Sequence, residues 1–302
     1  MTHPIKRQAV ACLLSLNMLL MLPVIAAGLS GCPGDRIDPN GPQNETRITT
    51  PEDEIDYEIV FDGDEWVSSK KNAAASDGDA VVLIESGVYR LSGERHGQIR
   101  VSVAKTQTVT LILDGLTVTS DRSAALYVCS ADRVYIEVPE GQTSVLTDGQ
   151  SYTSEGGDKP NACLYASDDL IFRGLGTLIV HGRYNNGIGC SNDIIVESGH
   201  LIVDAVKNAV KGKQSVTLRG SADLTVTGAQ DGIKSDSTVS GEGVILLAGS
   251  AKAVIRCEDD ALQAVSAVTV SDNARVQTRC GGQTVKCDGE VTVYEGAFSG
   301  LN

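Results

Sequence analysis

The stretch Asn161-Ala-Cys-Leu-Tyr-Ala-Ser-Asp-Asp-Leu-Ile-Phe is followed at once by its echo, Asn185-Asn-Gly-Ile-Gly-Cys-Ser-Asn-Asp-Ile-Ile-Val. Further echoes are Asn208-Ala-Val-Lys-Gly-Lys-Gln-Ser-Val-Thr-Leu, Asp231-Gly-Ile-Lys-Ser-Asp and Asp260-Ala-Leu-Gln-Ala-Val-Ser-Ala-Val-Thr-Val. Their apolar anchors Leu164, Ile188, Val210, Ile233, Leu262 and Val285 fall 24, 22, 23, 29 and 23 residues apart. A Ser/Gly-rich insertion between Asp236 and Gly243 accounts for the one long interval. A period of this size marks a stacked-repeat architecture.

Within each unit the apolar runs are short, β-branched and of period two: Leu170-Ile-Phe, Leu178-Ile-Val, Ile194-Ile-Val, Leu201-Ile-Val, Val216-Thr-Leu, Leu224-Thr-Val, Val268-Thr-Val. Turn signals separate them at Arg173-Gly174, Ser198-Gly199, Arg219-Gly220 and Asp272-Asn273. No interval is long enough for the crossover helices of an ordinary parallel sheet. The Leu-x-x-Leu-x-Leu signature of leucine-rich repeats is absent. The pattern predicts an all-β chain, a parallel β-helix with one coil per unit. Val81–Ile84, Ile99–Val103, Val109–Leu113 and Val134–Val138 fit as less regular coils upstream.

The 302 residues carry 25 Lys+Arg against 39 Asp+Glu, a net charge of −14. Such an excess of acid argues against a nucleic-acid partner and against docking on anionic lipid. At the start, Lys6 and Arg7 precede an uncharged apolar run from Ala9 to Ala27, then Leu29-Ser30-Gly31-Cys32. This is the layout of a secretory signal, and its ending resembles a bacterial lipobox. The expectation is a lipoprotein signal over 1–31, a lipidated Cys32 opening a polar, Pro-bearing tether over 32–57, and the β-helix over 58–302. The product would be extracellular, held on the bacterial surface only by its lipid. Loss of Lys6 and Arg7 with the leader, which holds no acid, shifts the charge from −14 to −16.

In such a solenoid, equivalent residues of successive coils lie about 4.8 Å apart. Two residues before the anchor stand Asn186, Asn208, Asp231 and Asp260, each followed by Gly or Ala, which predicts a sharp backbone turn there. Five residues after it stand Asp169 and Asp193, with Asp168 and Asn192 just before, while Asp236, Glu258 and Asp259 crowd the third site. Asn/Asp stacks can simply satisfy turn amides, which suits the Asn members. Two carboxylates at coil spacing, however, repel by roughly 3.5 kcal/mol at an effective dielectric near 20. A cation midway would lie about 2.4 Å from oxygens of both coils, the bond length of Ca2+ but longer than Mg2+ accepts. The candidate ligands are therefore Asp231 with Asp259 and Asp260, then Asp168, Asp169 and Asp193, with Asn186, Asn208 and Asp236 alongside.

These motifs, with Tyr184-Asn-Asn-Gly-Ile, Leu113-Asp-Gly-Leu-Thr-Val-Thr-Ser and Leu146-Thr-Asp-Gly-Gln-Ser-Tyr, resemble a family of secreted bacterial carbohydrate-binding β-helix proteins. That family is similar in architecture to the family-nine pectate lyases. The likeness spans about residues 80–295. It implies a right-handed, pectate-lyase-like solenoid, calcium lodged within it, and binding of pectic acid sugars and cellulose without demonstrated catalysis. Asn186 and Asn208 stand where the family often has an acid, and Ser215 replaces the acid of Asp193, which implies fewer metal sites mid-helix.

An acidic protein could hold polygalacturonate only through bridging calcium or a local basic strip. Lys207, Lys211, Lys213, Arg219 and Lys234 supply one, with Lys211 and Lys234 at one repeat position. They are either a carboxylate grip, with Lys234 the elimination base if the protein is a lyase, or solvated surface charge. A lysine base needs a lowered pKa, which no sequence feature indicates. His3, His96, His181 and His200 are scattered, without an evident partner. Sugar-stacking candidates are Trp66, Tyr127, Tyr135, Tyr152, Tyr165 and Tyr184, of which Tyr152 and Tyr184 are placed in the glycan site. The segment Gln142–Pro160 is expected to project as a loop beside the helix. Cys280 and Cys287 could meet across a turn, or the thiols could fill the interior; their connectivity stays open.

Overall fold

The computed structural model describes residues 49–153 and 160–301. The leader, Cys32, most of the tether, Glu155 and Asp158 lie outside the described residues. The described chain has one short 3-10 turn, Glu52–Glu54, and is otherwise built of strands.

Parallel strands fall into ladders in which every strand pairs with the one three places later in the chain. The anchor face runs through Leu126–Ser130, Ala162–Ala166, Asn186–Cys190, Asn208–Gly212, Asp231–Ser235, Leu262–Ala264 and Val285–Cys287. A second face runs through Arg133–Val138, Asp169–Gly174, Asp193–Val196, Ser215–Leu218, Val244–Leu247, Ala267–Val270 and Glu290–Val293. The third runs through Thr143–Thr147, Thr177–Gly182, His200–Ala205, Asp223–Gly228, Lys252–Cys257, Arg275–Cys280 and Phe298–Gly300. Each repeat thus lays three strands on those of its predecessor.

The register pairs Leu126, Leu164, Ile188, Val210, Ile233, Leu262 and Val285 in one continuous column. The anchors read from the sequence are therefore true structural equivalents, and the first six are buried. Alternation supplies the rest of the interior: Leu170 and Phe172, Leu178 and Val180, Ile194 and Val196, Leu201 and Val203 all face one contiguous core.

The Gly or Ala after each Asn/Asp has a steric cause. A Cβ on Gly187 would meet Val203 Cγ1 at 2.4 Å and Ala209 O at 2.8 Å, and one on Gly232 would meet Ala261 O at 2.5 Å and Ile255 Cγ2 at 2.6 Å. Neither glycine has positive φ. The position points inward against the facing strands, so it takes only small residues; a sharp backbone turn is not the reason.

The N-terminal coils depart from the rule. Gly87–His96 is one long strand whose first half pairs with Thr108–Leu113 and whose second half pairs with Thr117–Thr119. That strand joins the second and third faces into a nineteen-stranded sheet. Two antiparallel hairpins, Tyr57–Gly63 with Glu65–Ser68 and Ala74–Asp77 with Ala80–Leu83, precede it. Ahead of them, the Thr50 amide and hydroxyl both donate to the Glu137 carboxylate at 2.7 and 2.8 Å, and Arg173 closes on the same group at 3.2 Å. Residues at the end of the expected tether are therefore fastened to the second face. The expected loop from Gln142 is also narrower than its sequence implies, because Thr143–Thr147 is a third-face strand.

Candidate functional site

The Asn/Asp column starts the anchor-face strands. Asn208 pairs in register with Asp231, and Asn186, Asn208, Asp231 and Asp260 are all buried. Each side chain first serves its neighbour. Asn186 Nδ2 donates to Asn161 O at 2.9 Å, and Asn208 Nδ2 donates to Asn186 Oδ1 at 2.6 Å. In the acidic half, Asp260 N–H donates to Asp231 Oδ1 at 3.2 Å, and Gln283 N–H donates to Asp260 Oδ1 at 2.9 Å. The amide half is self-satisfied, as stacked Asn side chains can be. The acidic half also satisfies backbone, yet retains two charges.

Those charges converge. Oxygens of Asp231, Asp259 and Asp260 lie within 4.8 Å of one another, the one such group of three His, Cys, Asp or Glu side chains among the described residues. Gly282 lines the same spot, where a Cβ would meet Asp259 Oδ1 at 2.4 Å and Asp260 Oδ1 at 2.7 Å. The space is thus kept clear of side chain beside two carboxylates. Hard oxygen donors with a small residue opposite suit an oxygen-seeking divalent cation. Ammonium groups also reach in: Lys286 Nζ at 2.8 Å from Asp260 Oδ2 and Lys234 Nζ at 3.4 Å from Asp231 Oδ2. Burial pushes the Asp260 carboxyl up, but the Lys286 hydrogen bond, the Gln283 amide and the charge of Lys234 outweigh it and hold it below the usual carboxylate range.

Asp169 and Asp193 sit in adjacent coils, with Asp193 N–H donating to Asp169 Oδ1 at 3.4 Å and Ser215 Oγ donating to Asp193 Oδ1 at 2.7 Å. Burial, then the neighbouring charge of Asp193, pushes Asp169 up to about 6. Beside them Asp168 Oδ2 is buried with no hydrogen-bond donor among the described residues, and burial raises its pKa too. Asp236 joins neither group. It closes the far end of its strand, where Lys211 Nζ lies 2.6 Å from its Oδ2.

Lys211 and Lys234 do stack in register, and Gln263 and Lys286 extend their column. Lys211, however, is spent on Asp236 and Lys234 on Asp231. Arg219 leaves the expected strip altogether to pair with Glu197 at 2.6 Å. Lys211, Lys213, Asp236, Tyr165, Ser191 and Asn161 line a recess of about 380 Å³ on this face. Tyr152 and Tyr184 stack with ring centroids 4.2 Å apart. The Tyr152 hydroxyl donates to the buried Asp148 carboxylate at 2.5 Å, so this ring is fixed by the fold, and Tyr184 presents the exposed partner.

Some partners escaped the sequence reading. His181 Nδ1 lies 2.5 Å from Asp204 Oδ1, and Arg183 shares that carboxylate at 3.2 Å. This corrects the expectation of a partnerless His181; the register His181↔Asp204 was available from the repeat. Lys286 was equally available, standing one residue after its anchor like Lys211 and Lys234. All six described cysteines are free. Cys280 stacks in register on Cys257 and not on Cys287.

Residues 77–300 match the family described as "Carbohydrate-binding domain-containing protein". A protein of that same description from Acetivibrio thermocellus is 35% identical over 277 residues, covering 90% of this chain and 93% of its own. The solved structure of the polysaccharide lyase-like protein from C. thermocellum, a gadolinium derivative, superposes with a TM-score of 0.77 at 36% identity, covering 82% of this chain and all of that one. With a family match over most of its length and a relative this similar from end to end, the chain belongs to the carbohydrate-binding domain-containing family.

Proposed function

We propose that the protein is a calcium-containing carbohydrate-binding protein of the bacterial cell surface that recognises acidic, pectic polysaccharide, with cellulose as the second candidate ligand. Its body is a right-handed parallel β-helix of the pectate-lyase-like type, and its lipidated Cys32 is the membrane tether. The observation that carries the metal half is the meeting of Asp231, Asp259 and Asp260 against the bare Cα of Gly282. Calcium bound there would neutralise charge between coils, and exposed Asp259 would let the ion reach a uronate carboxylate.

Binding is favoured over catalysis by the state of the candidate base: Lys234 is committed to Asp231 at 3.4 Å. The deciding experiment is gel retardation in polygalacturonate, and pull-down on cellulose, with calcium and with EDTA. Calcium-dependent retardation is expected. Retardation equal in EDTA would remove the metal from the account, and release of unsaturated uronate product would turn the binder into a lyase. Loss of palmitate labelling in C32S cells tests the tether.

A further inference from the structure

The lysines of the anchor-face column, Lys211, Lys234 and Lys286, are paired with carboxylates, but the third face holds cations that are not. Its strands Lys252-Ala-Val-Ile-Arg-Cys257 and Arg275-Val-Gln-Thr-Arg-Cys280 contain no acid. Ala253, Ile255, Val276 and Thr278 point inward, so Lys252, Arg256, Arg275 and Arg279 project outward by alternation. The register sets Lys252 beside Arg275 and Arg256 beside Arg279, a two-by-two array on strands about 4.8 Å apart. Arg275 is occupied by the ring of Tyr294, 5.1 Å from its centroid. Arg256 and Arg279 meet no carboxylate among the described residues, and Lys252 makes no ion pair there although Asp223 is its register neighbour.

Two like charges side by side without a counter-ion are unfavourable, and in a chain this acidic the arrangement is conspicuous. Arg256 and Arg279 also line a groove of about 1050 Å³, together with Cys257, Cys280, Glu258 and Asp204. Asp204 is already held by His181 and Arg183. Glu258 is the one rim acid without such a partner among the described residues.

We infer that the groove over Arg256 and Arg279 is a carboxylate-binding site for an acidic glycan, built on guanidinium groups and not on metal or the lysine column, and adjoining the Asp231–Asp260 cluster through Glu258–Asp259 and Gly281–Gly282. The inference rests on the reading of the protein as a binder of acidic polysaccharide. Each guanidinium offers a planar fork that matches a carboxylate. The strand spacing is close to the length of one pyranose ring, so a chain running along the solenoid would meet the two arginines with successive uronates. The groove needs no metal to attract its ligand.

The test is titration of the purified protein with a galacturonate oligomer, alongside R256A/R279A, R256K/R279K and K211A/K213A. The double alanine variant is expected to bind at least tenfold more weakly. The lysine version should fall between, because charge persists while the fork is lost, and E258Q should bind more tightly. A carboxyl-reduced oligomer should bind the wild type no better than the double alanine variant. A readout without mutation guards against misfolding: bound oligomer should slow alkylation of Cys280 by iodoacetamide, since the thiol shares the groove. Undiminished affinity of R256A/R279A, loss confined to K211A/K213A, or unprotected Cys280 would overturn the groove while leaving acidic-glycan binding in place. A wild type that binds no galacturonate oligomer would overturn both.

Discussion

Lys286 Nζ lies 2.8 Å from Asp260 Oδ2, so a lysine of one coil rests on a carboxylate of the coil before it. The lysine is half exposed whereas Asp260 is only 2% exposed. A half-exposed ammonium therefore competes with any metal for a buried acid. Removing the lysine as K286A should raise calcium affinity a few-fold, and D260N should abolish calcium-induced stabilisation. Thermal unfolding with added calcium and with EDTA checks both, and an EDTA-insensitive wild type would contradict the metal assignment.

Asp169 carries the pH prediction. Its folded pKa of about 6 exceeds the unfolded value of about 3.9. A raised carboxyl contributes stability in full below the unfolded pKa and loses it as pH rises through the folded one. In EDTA the protein should thus lose about 2–3 kcal/mol from this group between pH 4 and pH 7. Substitution as D169N should flatten that slope and stabilise the metal-free protein at neutral pH. Urea midpoints across pH, compared for the two proteins, decide it.

The crowding beside Gly232 sets a packing prediction. Adding one methyl as G232A forces contacts of 2.5 and 2.6 Å with Ala261 O and Ile255 Cγ2, and should cost about 1–3 kcal/mol. Deleting the neighbouring anchor as I233A should cost about 2–5 kcal/mol, from lost burial and the cavity left behind. Denaturant titration measures both, with V239A, at an exposed side chain, expected to change stability far less.

The Glu137 clasp yields a fourth expectation. Glu137 is 2% exposed and holds both Thr50 and Arg173. Truncation as E137A strands the Arg173 guanidinium and should cost about 3–5 kcal/mol. T50A, which leaves the ion pair intact, should cost about 1 kcal/mol. Limited proteolysis should cut ahead of Tyr57 faster in both variants.

The repeat was legible because its columns are made of identical chemistry. Leu164, Ile188, Val210, Ile233 and Leu262 were found by counting residues, and the register pairs them without a slip. Counting also joined Asp231 to Asp260. It failed where partners do not share a repeat position. Glu137 meets Thr50 across 87 residues, from a segment with no periodic signal. Asp236 looked like part of the acidic group only because it is near Asp231 in sequence; five residues along a strand carry it to the opposite corner and onto Lys211. The Gly-Ala positions were seen but misread, since crowding from the facing strands leaves no mark in a single repeat.

Because each strand from Leu126 onward pairs with those three places before and after it, this part of the molecule is held together like a stack and not like a knot. A defect such as a lost anchor severs support between one storey and the next while leaving distant storeys whole. Damage should therefore divide this protein into an upper and a lower block that melt separately, and a copied storey could be slotted in without disturbing either end.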